Sequence, residues 1–244
     1  MASCRDAERT GQTSLLQFSL DLNSLCVSPV NMGSFLIVGC GHFGSRAVER
    51  LLQKDPHASI TVIDRDPKAL DPISQLPVKT VVCDGKTDLS RFVHGDKRPD
   101  YIIPAVPYHL AFEYILSQLK PLGAKRAQVP SLQGLPNPIM GKTGDLYASL
   151  ADFLCPEDCQ EPPRVCTVTG KRRPKPLYQY LMDLKGLFES SVIRSVQLGP
   201  GVGGFRPEIL LNLIETIKKR RGSNRPFLIS TACRCHGVIS ALSF

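Results

Sequence analysis

Two groups of residues have the types and spacing to do chemistry. The first is Gly39-Cys40-Gly41-His42-Phe43-Gly44, lying between an apolar run at 34–38 and an amphipathic stretch. In a G-x-G-x-x-G turn from strand to helix, the first glycine permits the tight turn. The second lets the backbone approach a pyrophosphate, and the third lets helix and strand pack closely. The helix that follows presents free N–H groups and a partial positive charge to the phosphates. An acid at the end of the next strand, about 20 residues on, holds the ribose hydroxyls. Here that acid is Asp64, after the run Ser59-Ile60-Thr61-Val62-Ile63. Strand, glycines, helix, strand and acid in this order predict a nucleotide site made by Gly39, Gly41, His42, Phe43, Gly44 and Asp64. A carboxylate at 64 repels a 2′-phosphate and favours NAD(H) or an adenine nucleotide over NADP. The adjacent Arg65 can pair with such a phosphate, which keeps NADP open. Asp84 follows the third apolar run; it either reaches the adenine or forms the turn before Gly85.

The second group is thiols. Of nine cysteines, Cys155, Cys159 and Cys166 form C-x3-C-x6-C, and Cys233-Arg234-Cys235-His236 follows the last predicted strand. Thiolates spaced this closely on irregular backbone can converge on one zinc ion or iron–sulfur cluster, with His236 as a substitute ligand. The spacing matches no common zinc finger or ferredoxin run, so the metal is not specified. A redox dithiol and inert thiols are the alternatives. Pro156, Glu157 and Asp158 are poor core residues, which disfavours simple burial. Cys40 and Cys83 read as small apolar residues on core strands. Clustered cysteines without a secretory leader suit a reducing cytoplasm.

Weaker candidates remain. His109 could move protons, with Glu113 one helical turn later, or could simply pack. The glycines of 199–204 form either an anion-binding nest or a flexible turn.

These residues need elements to position them. The composition, 42% hydrophobic and 21% charged, is that of a globular protein. No apolar run reaches the ~18 residues of a membrane span, so no membrane insertion is expected. A net charge of +8 invites nucleic acid. However, Lys218–Arg221 closes an amphipathic helix, where cations suit the dipole, and no aromatics interleave with the basic clusters, so no nucleic-acid partner is expected. Strand and helix patterns alternate from 34 to 129. Residues 130–176 are rich in Pro, Gly and Cys, with a short helical pattern at 146–154. The alternation then resumes: helix at 176–189, strand at 191–198, helix at 207–220, strand at 227–232. The expected fold is α/β, a Rossmann-like, doubly wound, mainly parallel sheet with a cysteine-rich insertion. Its parts are a poorly ordered extension (1–31, containing Cys4 and Cys26), a nucleotide-binding half (32–130), the insertion with its metal site (131–176) and elements completing the sheet (177–244).

Phe35–Gly44, Thr61-Val-Ile-Asp-Arg-Asp-Pro67 and Val81-Val-Cys-Asp-Gly85 resemble the TrkA-N domain, the N-terminal domain of regulators of potassium conductance. The resemblance covers roughly 34–120 and does not extend beyond 130. It implies binding of NAD(H) or adenine nucleotides through Gly39, Gly41, Gly44, Asp64 and Asp84, and a potassium transporter or a second copy of the chain as partner. Two functions follow as expectations: a nucleotide or redox sensor, and an NAD(P)-dependent metal-containing oxidoreductase.

Overall fold

A computed structural model of the protein describes residues 33–244; the expected extension at 1–31, with Cys4 and Cys26, lies outside them. The first sheet is parallel throughout, in the order β3-β2-β1-β4. It comprises β1 (Ser34–Val38), β2 (Ser59–Asp64), β3 (Lys79–Val82) and β4 (Tyr101–Pro104). Side chains alternate across a strand, so Leu36 and Val38 pack on one face and Ile37 on the other. A sheet covered on both faces reads as continuous apolar runs, as at 34–38 and 60–63. Helix α1 (His42–Lys54) buries Gly44, Ala47, Val48 and Leu51, one helical stripe, against the Ile37 face. Short α2 (Pro67–Leu70) follows β2. Helices α3 (Gly85–Val93) and α4 (Leu110–Leu119) cover the other face. The α/β class and the Rossmann-like parallel half are thus as expected.

The C-terminal strands correct the expected topology. They do not complete the first sheet but build a second. Its strands are β5 (Lys125–Ala127), β6 (Ile139–Met140), β7 (Leu146–Ser149), β8 (Glu189–Arg194), β11 (Phe227–Ala232) and β12 (His236–Ser243). The order is β6-β7-β12-β11-β8, with β5 also on β12. Only β8–β11 is parallel within it. The free edge of β4 is met instead by Phe205, which exchanges backbone hydrogen bonds with Ile102 at 2.8 and 3.0 Å. Phe205 follows a hairpin, β9 (Val196–Gly199) and β10 (Val202–Gly204), where an open glycine loop was expected.

Two helix expectations also change. Residues 146–149 are strand β7: Leu146 and Ala148 are buried and Tyr147 is exposed, a period of two. The helix expected over 176–189 is only α5 (Leu177–Met182), capped at Asp183 and followed by β8 from Glu189. Helix α6 (Pro207–Lys218) is as expected, with Pro207 at its first turn.

Candidate functional site

The carboxyl ends of β1, β2 and β4 open on a cavity of about 580 Å³, lined by Gly39, Gly41, Asp64, Arg65, Asp84 and Tyr108 among others. Each glycine of the turn has its own reason. Gly39 takes φ +96°, and a Cβ there would lie 2.5 Å from the Ala105 carbonyl oxygen. A Cβ on Gly44 would overlap the Gly39 carbonyl oxygen, so only glycine lets α1 rest on the turn. Gly41 differs, because nothing lies within 4 Å of where its Cβ would be. That open space over a helix N-terminus is the shape a phosphate needs.

Asp64 holds the turn from the side. Its carboxylate accepts the Cys40 N–H at 2.7 Å and the Asp66 N–H at 2.9 Å. Carboxylate oxygens have about four acceptor sites, which leaves capacity for hydroxyl donors in the cavity. Asp84 is the N-cap of α3, accepting the Lys86 N–H at 2.7 Å. The turn-forming role of Asp84 is therefore met, and its carboxylate still borders the cavity. A second helix N-terminus thus faces the same space.

Among the lining residues outside the sequence-derived set are Lys86 and Tyr108. The Lys86 ammonium sits 4.5 Å from the centre of the Tyr108 ring. Burial, reinforced by the negative charges of Asp84 and Glu113, pushes the Tyr108 hydroxyl up to about 12. Lys86 is the second residue of α3, whose cap at Asp84 the sequence reading did not use. Tyr108 carried no signal beyond its place after β4.

His42 and Phe43 face away from this cavity. His42 Nε2 lies 2.8 Å from Glu157 Oε1, and the exposed Phe43 ring lines a second cavity of about 530 Å³. That cavity also receives Cys155, Cys159, Cys233, Cys235 and His236. Cys166 lies in a neighbouring recess with Lys171 and Arg173. Among the described residues, no three Cys, His, Asp or Glu side chains are grouped as round a metal ion, so the expected convergence of Cys155, Cys159 and Cys166 with Cys233, Cys235 or His236 on one point is not met; Cys166 sits on a separate hairpin.

The thiols sit on tight turns. Cys155 and Cys159 flank a turn closed by Cys159 N–H to Pro156 O at 3.2 Å. Cys166 starts a hairpin turned by Gly170 at φ +66°, with Cys166 N–H donating to Lys171 O at 2.9 Å. Cys233 and His236 close the β11–β12 connection, and Cys233 N–H donates to His236 O at 2.9 Å. Three sulfurs accept amide N–H groups: Cys159 from Glu161 at 3.4 Å, Cys233 from Cys235 and His236 at 3.4 Å each, and Cys166 from Val168 and Thr169. At Cys233 burial, and then Glu161, outweigh these donors and push the thiol up to about 12. The hydroxyl and amide of Thr169 bring the Cys166 thiol down to about 7. Burial, and then the neighbouring sulfurs of Cys159 and Cys166, push Cys155 up. Burial pushes Cys235 up to about 11, and the charge of Arg173 opposes burial there and at Cys155; the buried Arg173 Nη1 has no hydrogen-bond partner among the described residues.

His109 and Glu113 belong to neither cavity's chemistry. The His109 ring is buried, with Nδ1 at 2.8 Å from Ser240 Oγ and Nε2 at 2.8 Å from Thr231 Oγ1. Ser240 donates to the buried Asp145, which Arg126 also meets at 2.7 Å. Arg126 bridges onward to Glu113. Both ring nitrogens are engaged, so this network ties α4 to β11 and β12 rather than offering a free base.

The comparisons with known proteins agree with the two halves of the chain. Residues 35–90 match the TrkA-N domain, as the sequence motifs led us to expect. Residues 111–244 match a family described as "Uncharacterized protein, C-terminal domain". An uncharacterized protein of Archaeoglobus fulgidus is 30% identical over 222 residues, covering 85% of this chain and 98% of the relative. The chain belongs to this family. The family match spans the residues that form the cysteine turns and the second sheet. The TrkA-N match supports a nucleotide-binding, regulatory role of NAD(H) type. Among the described residues, no helix is long and apolar enough to cross a membrane.

Proposed function

We propose that this protein is a nucleotide and redox sensor. It binds NAD(H) or an adenine nucleotide in the cavity over Gly41 and holds a zinc ion or iron–sulfur cluster between its cysteine turns. One observation carries the nucleotide reading: Gly41 opens on free space between two helix N-termini, with Asp64 at the second strand's end. Open space at a helix start and a carboxylate at the second strand's end are what a diphosphate and a ribose call for.

The donor types lining the second cavity are those of a metal centre, although they are not grouped round one point among the described residues. Thiolates with amide donors, on turns that bury little apolar surface, suit a centre whose binding energy becomes folding energy. The ligands would be drawn from Cys155, Cys159, Cys166, Cys233 and Cys235, with His236 as the nitrogen donor. The unpartnered Arg173 Nη1 suits the net negative charge of a metal–thiolate centre. Bound zinc supplies a crosslink, and an iron–sulfur cluster supplies one-electron chemistry. A potassium transporter as partner rests on the TrkA-N relationship alone.

An oxidoreductase is the second reading. It is favoured by an apolar cavity of about 430 Å³ beside Tyr108 and His109, which adjoins the nucleotide cavity. Steady NADH turnover with an added acceptor would establish it.

The test of the main reading is calorimetry with NADH and NAD+ on wild type and Asp64→Ala. The variant should lose about 1.5–3 kcal/mol of affinity, the worth of a hydrogen bond to a charged group. Equal affinity would remove Asp64 from the site. Elemental analysis and a visible spectrum of anaerobically purified protein identify the metal.

A further inference from the structure

One side chain of the thiol cavity reaches the helix that starts at the glycine turn. Glu157 lies midway between Cys155 and Cys159, and its carboxylate grips the helix that starts at the glycine turn. One oxygen is 2.8 Å from His42 Nε2 and the other 3.1 Å from Arg46 Nη1. The backbone is held as well: Arg50 donates to the Glu157 carbonyl at 2.8 Å and to the Pro200 carbonyl at 2.7 Å. Cys159 is fixed through its own carbonyl, which accepts from Gln197 at 2.7 Å and from Gly201 N–H at 3.0 Å. Gly201 takes φ +64°, and a Cβ there would overlap the Glu157 carbonyl oxygen, so the hairpin closes directly on the cysteine turn.

We infer that Glu157 is a positioning residue that makes metal binding by the cysteines and nucleotide binding at the glycine turn mutually dependent. This rests on the nucleotide and metal reading above. A metal held by Cys155 and Cys159 immobilises the turn from both ends. The Glu157 carboxylate is then fixed on His42, the first residue of α1, and on Arg46 one turn later. Gly41, which lines the nucleotide cavity, immediately precedes His42. A nucleotide binding to an already ordered helix start has less conformational entropy left to lose, which is positive cooperativity without a large movement. The effect is reciprocal: a factor gained by the nucleotide on metal binding equals the factor gained by the metal on nucleotide binding.

The experiment uses the full chain, reduced and freed of metal with a chelator that is then removed, and Zn2+ as the probe for the cysteines. NADH affinity is read by fluorescence with and without saturating Zn2+. Zn2+ affinity is read by competition with a chromophoric chelator, with and without saturating NADH. Wild type should show both affinities tightened by the same factor, about fivefold, at the low end of measured couplings because the ion pairs are half exposed. Glu157→Gln keeps the backbone contacts of residue 157 and should bind each ligand alone. In that variant the factor should fall towards one. A merely structural Glu157 would change Tm and leave the factor intact, and that result overturns the inference. Equal affinities with and without the other ligand in wild type, with both ligands bound, also overturn it while leaving both sites standing. Absence of NADH binding or of Zn2+ binding in wild type overturns the underlying reading, and this inference with it.

Discussion

The two cavities on either side of the glycine turn are built on opposite plans. The nucleotide cavity is a backbone object. Its shape comes from the φ of Gly39, the missing Cβ atoms of Gly41 and Gly44, and the ends of two helices. It needs no ligand to take shape. The thiol cavity is a side-chain object, with donors from turns that are far apart in the chain and that do not yet close on a point. The first kind of site is pre-organised, whereas the second is finished by what it binds. The glycine turn should therefore be sensitive to added atoms, and the cysteine turns to added or removed metal.

The largest effect should come from Gly44→Ala. The new methyl meets the Gly39 carbonyl, so α1 must lift from the sheet, at about 3 kcal/mol of stability. Gly41→Ala, three residues away, should change stability by no more than about 0.5 kcal/mol and yet abolish NADH binding. Denaturant unfolding of both variants, with a binding titration of Gly41→Ala, checks the pair. Equal destabilisation by both would mean that the turn does not divide its glycines as described.

Next in size is the response to metal. Free Zn2+ at a hundredfold above its dissociation constant should stabilise the reduced protein by about 2.7 kcal/mol. Cys155→Ser/Cys159→Ser should abolish the gain. A full gain in the double variant would place the ion elsewhere.

The smallest effect concerns the seam between the two sheets. Burial, aided by the charge of Arg126 and opposed by Asp145, brings the His109 imidazole down to about 3. In the unfolded chain it titrates near 6.5. Between these values the unfolded chain binds a proton that the folded chain refuses, so stability is full above about 6.5 and is lost as pH falls. The slope is about 1.4 kcal/mol per pH unit, or about 2 kcal/mol between pH 6.5 and 5. His109→Gln should flatten it. An unchanged slope in that variant would assign the pH dependence to other groups.

The contrast also explains what the sequence made legible. Gly39, Gly41, Gly44 and Asp64 could be read because a backbone site is written in consecutive residues and one fixed interval. The cysteines could be named but not arranged, since their grouping depends on how β11 and β12 connect. That hairpin was missed at β12, whose partners lie at 125–127, 146–149 and 227–232. Glu157 and Arg173 were invisible as functional residues. A charged side chain among prolines reads as solvated loop until the helix or thiols opposite it are known. The separateness of the second sheet was hidden for the same reason. The patterns at 189–194 and 227–232 are those of any buried strand, and only the Ile102–Phe205 bridge reveals that β4 is already occupied.

That bridge bears on descent. The TrkA-N match ends at residue 90 and the C-terminal family match begins at 111, a boundary at which a gene fusion could have joined two modules. The packing does not respect it. Ile37, Val48 and Ile103 share one apolar cluster with Leu198 and Val202, and Leu36 and Val38 share another with Ile193 and Phe205. In its packing, the nucleotide half is a dependent part of the whole. Cut at residue 110, it would expose the apolar flank of β4 and the face beneath the missing hairpin, and such a fragment should aggregate rather than bind.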